Sequence, residues 1–237
     1  MRTLILLGFC VFYCLTSYTQ TVSTDRPTQA FGTATISKST FQLETGLGLD
    51  VYPMKSFFTV GFNQFRYGVT DIFELRSGFG ITQDVSNNSW SGFNISGLKV
   101  KLIDKKVQLS LLSEAFIPAS SDPVSWYNAI LLSHNISEKI NFGYMLLHNY
   151  DFGLMKATSY YGNAQFSWVS NFNLVDKLTF FAEVSLISDL MTTNIDVYVD
   201  AGFMYLINDQ IQLDLFFGQG VNFQRGSYGM GFAYLFK

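Results

Sequence analysis

The chain has 237 residues, of which 48% are hydrophobic and 17% aromatic but only 14% charged, with a formal net charge of −3. Soluble domains carry about 25% charged residues, so this composition excludes an ordinary water-soluble protein as well as a disordered one. No run of Lys and Arg is present to follow a phosphate backbone, which argues against nucleic acid as a partner.

The chain opens with Arg2, an apolar stretch from Leu4 to Leu15, and then Thr16, Ser17 and Thr19. This is the pattern of a secretory signal peptide over residues 1–19, cleaved near Thr19 and Gln20. The stretch is shorter than the ~20 residues a membrane helix needs. Both cysteines, Cys10 and Cys14, lie within it, and Tyr13 stands where a lipid-attachment signal needs a small residue. The mature chain is therefore expected to lack a thiol, a disulfide, a metal site and a cofactor.

Residues 20–39 are too polar for a lipid-facing strand and include Asp25, Arg26 and Pro27. Two readings fit them. The segment folds into a barrel lumen from the periplasmic side as a plug, with Asp25 and Arg26 pairing with charges there, or it is a loose periplasmic leader.

From residue 40 to 237 apolar residues recur at every second position, which is strand periodicity. Phe41, Leu43, Leu47, Leu49 and Val51 share one face, as do Ile140, Phe142, Tyr144 and Leu146, and Ile195, Val197, Val199, Ala201, Phe203 and Tyr205. The opposite faces carry Gly, Ser, Thr, Asn and Gln with isolated charges, which suits a crowded wet lumen better than the solvated face of a sandwich. Short polar turns centred on Asp71, Asp104, Glu138, Asp176 and Asp209 recur at intervals of 33 to 38 residues, one hairpin each. Longer connectors fall between them at 84–91, 118–125, 151–159, 188–194 and 218–226, with one short loop at 52–55.

The spacing predicts twelve strands, at 41–51, 57–68, 72–83, 92–102, 106–117, 126–136, 139–150, 161–172, 177–187, 195–207, 210–218 and 227–237. The fold class is all-β, a transmembrane antiparallel β-barrel, with the N-terminus and the short turns periplasmic. In the fourth strand Phe93 and Ile95 share one phase and Leu98, Val100 and Leu102 the other, so a β-bulge at Gly97 is expected.

Thr24-Asp25-Arg26-Pro27, Phe41-Gln42-Leu43-Glu44-Thr45-Gly46, Arg66-Tyr67-Gly68-Val69-Thr70-Asp71 with Phe73-Glu74-Leu75-Arg76, and Gly97-Leu98-Lys99 resemble a family of outer-membrane transport proteins named for the MetA pathway of phenol degradation. The resemblance covers most of the mature chain. It implies a β-barrel in the outer membrane of a Gram-negative bacterium that passes small solutes, hydrophobic or aromatic ones among them. The chain departs from the usual ending of such strands, because Lys237 follows Phe236.

If the alternation holds, the lumen receives Glu44, Asp50, Glu74, Arg76, Glu114, Glu183, Asp196, Asp200 and Asp214, joined after bulges by Arg66, Lys99 and Lys101. The basic residues fall on strands two to four and Glu183, Asp196, Asp200 and Asp214 on strands nine to eleven, so the two groups lie on roughly opposed walls. Either they set a transverse field across a pore, or they pair with one another and fill the lumen.

Catalysis has little support, since only His134 and His148 are present and no nucleophile or phosphate-loop motif occurs. His148, near an outer loop beside Tyr150, is the one candidate for a lipid-modifying site, and it fits an interfacial aromatic belt better. The reading is a non-enzymatic channel or transporter, monomeric, with membrane lipid, a small solute and the barrel-assembly machinery as partners. A structural or adhesive barrel with a blocked lumen is the alternative.

Overall fold

A computed structural model describes residues 21–120, 122–152, 161–190, 194–222 and 224–236. The signal peptide expected over residues 1–19, the middle of the 151–159 connector and Lys237 lie outside the described residues. The strands are β1 Phe41–Val51, β2 Ser56–Thr70, β3 Phe73–Asp84, β4 Ser89–Asp104, β5 Val107–Pro118, β6 Val124–Asn135, β7 Ile140–Phe152, β8 Tyr161–Val175, β9 Leu178–Asp189, β10 Ile195–Asn208, β11 Ile211–Gly220 and β12 Gly226–Phe236. Every strand pairs antiparallel with its sequence neighbours, and β1 pairs with β12 from Phe41↔Phe236 to Val51↔Gly226. This is a closed twelve-strand barrel, which leaves no sheet edge to be solvated in lipid.

Alternation explains the closure. Along β3, Glu74, Arg76, Gly78 and Gly80 are buried while Leu75, Phe79 and Ile81 are exposed, and along β10 Asp196, Tyr198, Asp200 and Gly202 are buried while Val199 and Phe203 are exposed. An exposed apolar exterior around a buried polar interior inverts the soluble arrangement and presents the hydrophobic band that lipid requires. At the short-turn end this exterior carries aromatic rings in contact, such as Phe41 with Phe236 at 5.3 Å and Phe180 with Phe203 at 5.4 Å. His148 stacks on Tyr150 at 5.7 Å on the same exterior face.

The bulge expected at Gly97 is absent. β4 pairs with β3 in unbroken register from Ser89↔Asp84 to Val100↔Phe73, and its register with β5 shifts only between Lys101 and Ile103. The strand keeps one phase because Phe93 and Ile95 point inward with Lys99, where Phe93 stacks on Phe116 at 4.7 Å and meets Phe62 at 5.7 Å. The bulges lie elsewhere, including one in β2 between Val60 and Asn63, where Gly61 takes φ +60, a conformation that glycine adopts without strain. Several strands also run longer than expected. The connector expected over 84–91 shrinks to residues 85–88, because Trp90 and Ser91 pair with Gln83 and Thr82.

Candidate functional site

The interior is not empty. Residues 21–40 enter from the short-turn end, where the Val22 N–H donates to the Asp209 carbonyl at 2.8 Å, and leave at the same end, where the Ser39 N–H donates to the Gly68 carbonyl at 2.7 Å. Between these points the segment turns inside the barrel. Val22, Asp25, Ala30, Thr33, Thr35 and Ile36 are all buried by lumen walls.

Bare backbone makes the room. A Cβ on Gly68 would collide with the carbonyls of Ile36 and Ser37, and a Cβ on Gly46 or Gly231, which pair across β1 and β12, would collide with the Arg26 guanidinium. These glycines are the seat of the segment, a role the sequence reading missed because it took them as filler on the polar face. The signal available was their place on inward positions, while outward positions of the same strands carry Leu47, Val69 and Met230.

One wall, from β1 to β5, is ionic. Arg66 donates from Nε and Nη2 to the two oxygens of Glu74 at 2.8 and 3.0 Å, and from Nη1 to Glu44 at 2.7 Å. Its remaining donors reach the carbonyls of Ser23 at 2.7 Å and Ala34 at 3.0 Å, so all five N–H groups of a fully buried guanidinium are engaged. Arg76 pairs with Glu114, with Glu74 at 2.9 Å and with Asp25 at 2.5 Å. Lys99 Nζ reaches both Asp25 oxygens and the Gly32 carbonyl, each at 2.9 Å.

Asp25 is the hub of this network. Burial pushes its carboxyl up, but Arg66, Lys99 and Arg76 together outweigh that and hold it well below the usual carboxylate range. The segment is thus tied to the ionic wall by Asp25, by the Ile36 N–H donating to Glu74 at 2.8 Å, and by the carbonyls of Ser23, Gly32 and Ala34.

The second wall, from β5 to β9, is apolar. Leu112, Ala129, Leu131, Met145, Leu147, Val169 and Phe181 cluster there with Ala30, and Phe31 packs against them. The remaining acids sit on β9 to β11. Glu183 accepts from the backbone N–H groups of Gln29 at 2.8 Å and Ala30 at 3.4 Å, and Asp214 accepts from Arg26 Nη2 at 3.4 Å. Asp196 is buried nearer the long-loop end, where it accepts from the Asn222 N–H at 2.8 Å, and Asp200 is buried beside Glu183.

Burial of Glu44, Arg66, Glu74, Arg76, Lys99, Glu114, Glu183, Asp196, Asp200 and Asp214, all on the polar phase of their strands, is what the structure has. A bare basic wall facing an acidic one is not, since Arg66, Arg76 and Lys99 are each ion-paired locally. The pairing partners could not be read from the sequence, because they depend on cross-strand register and on the path of residues 21–40.

Two cavities flank the segment. One of about 320 Å³ lies toward the long loops, lined among others by Gln29, Phe62, Phe216 and Arg225. The other, of about 230 Å³, lies toward the short turns, lined among others by Gln108, Ser133, Asn141 and Asn171. Arg26, Thr28 and Phe31 belong to both linings and so form the partition.

No family model matches the chain, and no curated protein matches its sequence. Its fold is shared with solved outer-membrane barrels. An outer-membrane channel from Pseudomonas putida F1 superposes with a TM-score of 0.61 at 10% identity, over 89% of this chain and 100% of that one. The NanC porin gives 0.60 at 13% identity over 81% and 98%, and the KdgM porin, solved in complex with disordered oligogalacturonate, gives 0.58 at 11% over 82% and 99%. The fold this defines is a closed twelve-strand antiparallel barrel similar to solved outer-membrane channels, here with residues of the same chain inside it.

Proposed function

We propose that this protein is an outer-membrane channel for small solutes, closed at rest by its own N-terminal segment acting as an internal plug. The observation that carries the reading is the pair of cavities on opposite sides of one thin partition, Arg26, Thr28 and Phe31. A barrel serving only as a scaffold needs no such vestibules, and a cavity of about 320 Å³ suits a small solute. Phe31, Phe62 and Phe216 give the outer cavity an aromatic lining with Arg26 and Arg225 at its edge, which favours hydrophobic or aromatic solutes with a polar end. The resemblance to the phenol-degradation transport family points the same way, as do the channel neighbours in fold.

In this reading the short turns and the N-terminus face the periplasm, the barrel is monomeric, and no catalytic step is involved. Channel recording and solute-swelling assays on proteoliposomes test it. The parent should pass ions and small solutes slowly, and Phe31→Ala, which thins the partition, should pass them at least several-fold faster. If both proteins fold and both are silent, the barrel is a structural one and the channel reading fails.

A further inference from the structure

Charge pairing divides the lumen unequally. Arg66, Arg76 and Lys99 form ion pairs with four carboxylates, Asp25, Glu44, Glu74 and Glu114, while Arg26 pairs with Asp214, and Arg225 with Asp50 at 2.9 Å. Two buried carboxylates, Glu183 and Asp200, have no ion pair among the described residues, and they are Cα partners directly opposite each other on β9 and β10. They are 2% and 5% exposed. Directly opposed side chains in an antiparallel pair have Cβ atoms about 4.5–5.5 Å apart, so the two carboxylates share one volume.

We propose that Glu183 and Asp200 together bind a divalent, oxygen-seeking cation such as Ca²⁺ inside the barrel.

Three observations support this. Both oxygens of Asp200 lack any hydrogen-bond partner, although the residue is buried. An unpaired carboxylate removed from water is costly unless a cation or a proton neutralises it. Glu183 is held in place, with Oε2 accepting from the Gln29 and Ala30 N–H groups and Oε1 from the Ser185 hydroxyl at 2.8 Å, so Oε1 keeps a lone pair for a further partner. On the other side of Asp200 its cross-strand partner is Gly218, where a Cβ would lie 2.8 Å from the Asp200 Cβ and collide with the Tyr198 hydroxyl. Glycine at 218 thus leaves that space to the Tyr198 hydroxyl, a further oxygen near Asp200.

The class of ion follows from charge and donor type. Two carboxylates match a double positive charge. The ligands are all oxygen, since His134 and His148 lie on the exterior face and the only cysteines are Cys10 and Cys14. Oxygen donors select Ca²⁺ or Mg²⁺ over softer metals. Among the described residues no three His, Cys, Asp or Glu side chains form a cage, so water completes the shell and binding is moderate. This inference does not depend on solute conduction.

The test uses the full folded barrel in detergent after chelator treatment. Terbium luminescence, sensitised by neighbouring aromatic rings, is titrated and then displaced with Ca²⁺, and the thermal loss of the heat-modifiable folded band is followed with and without Ca²⁺. The parent should show saturable terbium binding displaced by Ca²⁺ and a Ca²⁺-dependent rise of a few degrees in its unfolding temperature. Asp200→Asn should weaken terbium binding at least tenfold and lose the thermal shift, while Asp104→Asn, in an exposed turn, should change neither. Parental affinity in folded Asp200→Asn overturns the site. If that variant does not fold, the parent decides: a saturable Ca²⁺ shift supports the site, and its absence overturns it.

Discussion

Strands β1 to β5 and strands β5 to β9 enclose the same N-terminal segment with opposite chemistry. The first wall grips it through charges that each have several directional partners, and Asp25 alone touches Arg76 and Lys99 at 2.5 and 2.9 Å. The second wall meets Ala30 and Phe31 with Leu131, Met145, Leu147 and Phe181, and among these the contacts are apolar. Breaking one buried ion pair leaves a stranded charge and costs about 3–5 kcal/mol, whereas uncovering a small apolar side chain costs about 25 cal/mol for each Å² exposed. The difference teaches where a passage can open. The contacts that cost least to break are the apolar ones, so if the proposed plug yields, the opening is expected at Phe31 and Thr28 rather than at the Asp25 hub.

The largest expected effect breaks the ionic wall. Arg66→Met leaves Glu44 and Glu74 without the guanidinium that both accept from, and it also frees the Ser23 and Ala34 carbonyls. A loss of about 3–5 kcal/mol is expected, read as a marked fall in the temperature at which the folded band disappears. The corresponding change on the apolar wall, Leu131→Met, keeps volume and polarity and should cost under about 1.5 kcal/mol. Equal losses would mean that the two walls do not differ in the way described.

Next in size is a contrast across one strand. Val199 lies on the exposed outer face of the barrel and Asp200 on the buried inner one. Val199→Arg should cost about 2–4 kcal/mol near the middle of the bilayer. Asp200→Asn removes a carboxylate that has no hydrogen-bond partner and should leave the folded fraction near that of the parent. Folding yields into lipid vesicles give the comparison, and similar losses would reverse the inside and outside assigned to β10.

A smaller effect probes the seat of the segment. In Gly68→Ala the added methyl meets the Ile36 and Ser37 carbonyls, which are backbone and cannot rotate away. An overpacking cost of about 1–3 kcal/mol should shift the segment rather than the barrel. Conductance should therefore rise with little change in folded yield. An unchanged conductance would show that the segment leaves Gly68 without opening a path.

Much of the barrel is legible in the sequence because period-two alternation is a local signal repeated in every strand. The inward phase of Glu74, Arg76, Asp200 and Asp214 follows from that signal alone. Phe93 and Ile95 misled it, since apolar residues were assigned to lipid and a bulge at Gly97 was needed to keep them there. They face inward because the lumen beside Phe62 and Phe116 is itself apolar. Which charges meet is a different kind of information. Arg66 and Glu44 sit on adjacent strands, but Arg26 meets Asp214 across 188 residues, a contact fixed by ring closure and by the path of the segment. The glycine seat at Gly46 and Gly231 is of the same kind, because a glycine on an inward position shows its purpose only once the Arg26 guanidinium is seen against it.

The smallest expected effect sharpens the account of the hub. Asp25 lies outside the strands, and its carboxyl is held below its ordinary value of 3.8 by Arg66, Lys99 and Arg76 against the opposing effect of burial. A carboxyl with a depressed folded value stabilises the folded state fully above the unfolded value, and that contribution fades as pH falls through and below it. The difference in unfolding free energy between the parent and Asp25→Asn isolates this group, since the other titrating groups are common to both proteins. It should stay flat from pH 8 down to about pH 5 and then shrink, reaching about 1 kcal/mol less by pH 3 and approaching a slope of about 1.4 kcal/mol per pH unit below that. Urea unfolding at a series of pH values provides the curve. A difference that stays constant through pH 3 would mean that the carboxyl has its ordinary affinity for protons, and one that grows toward acid would mean that burial outweighs the three cations. Either result would remove Asp25 from the centre of the ionic wall and, with it, the reason for expecting the passage to open on the apolar side.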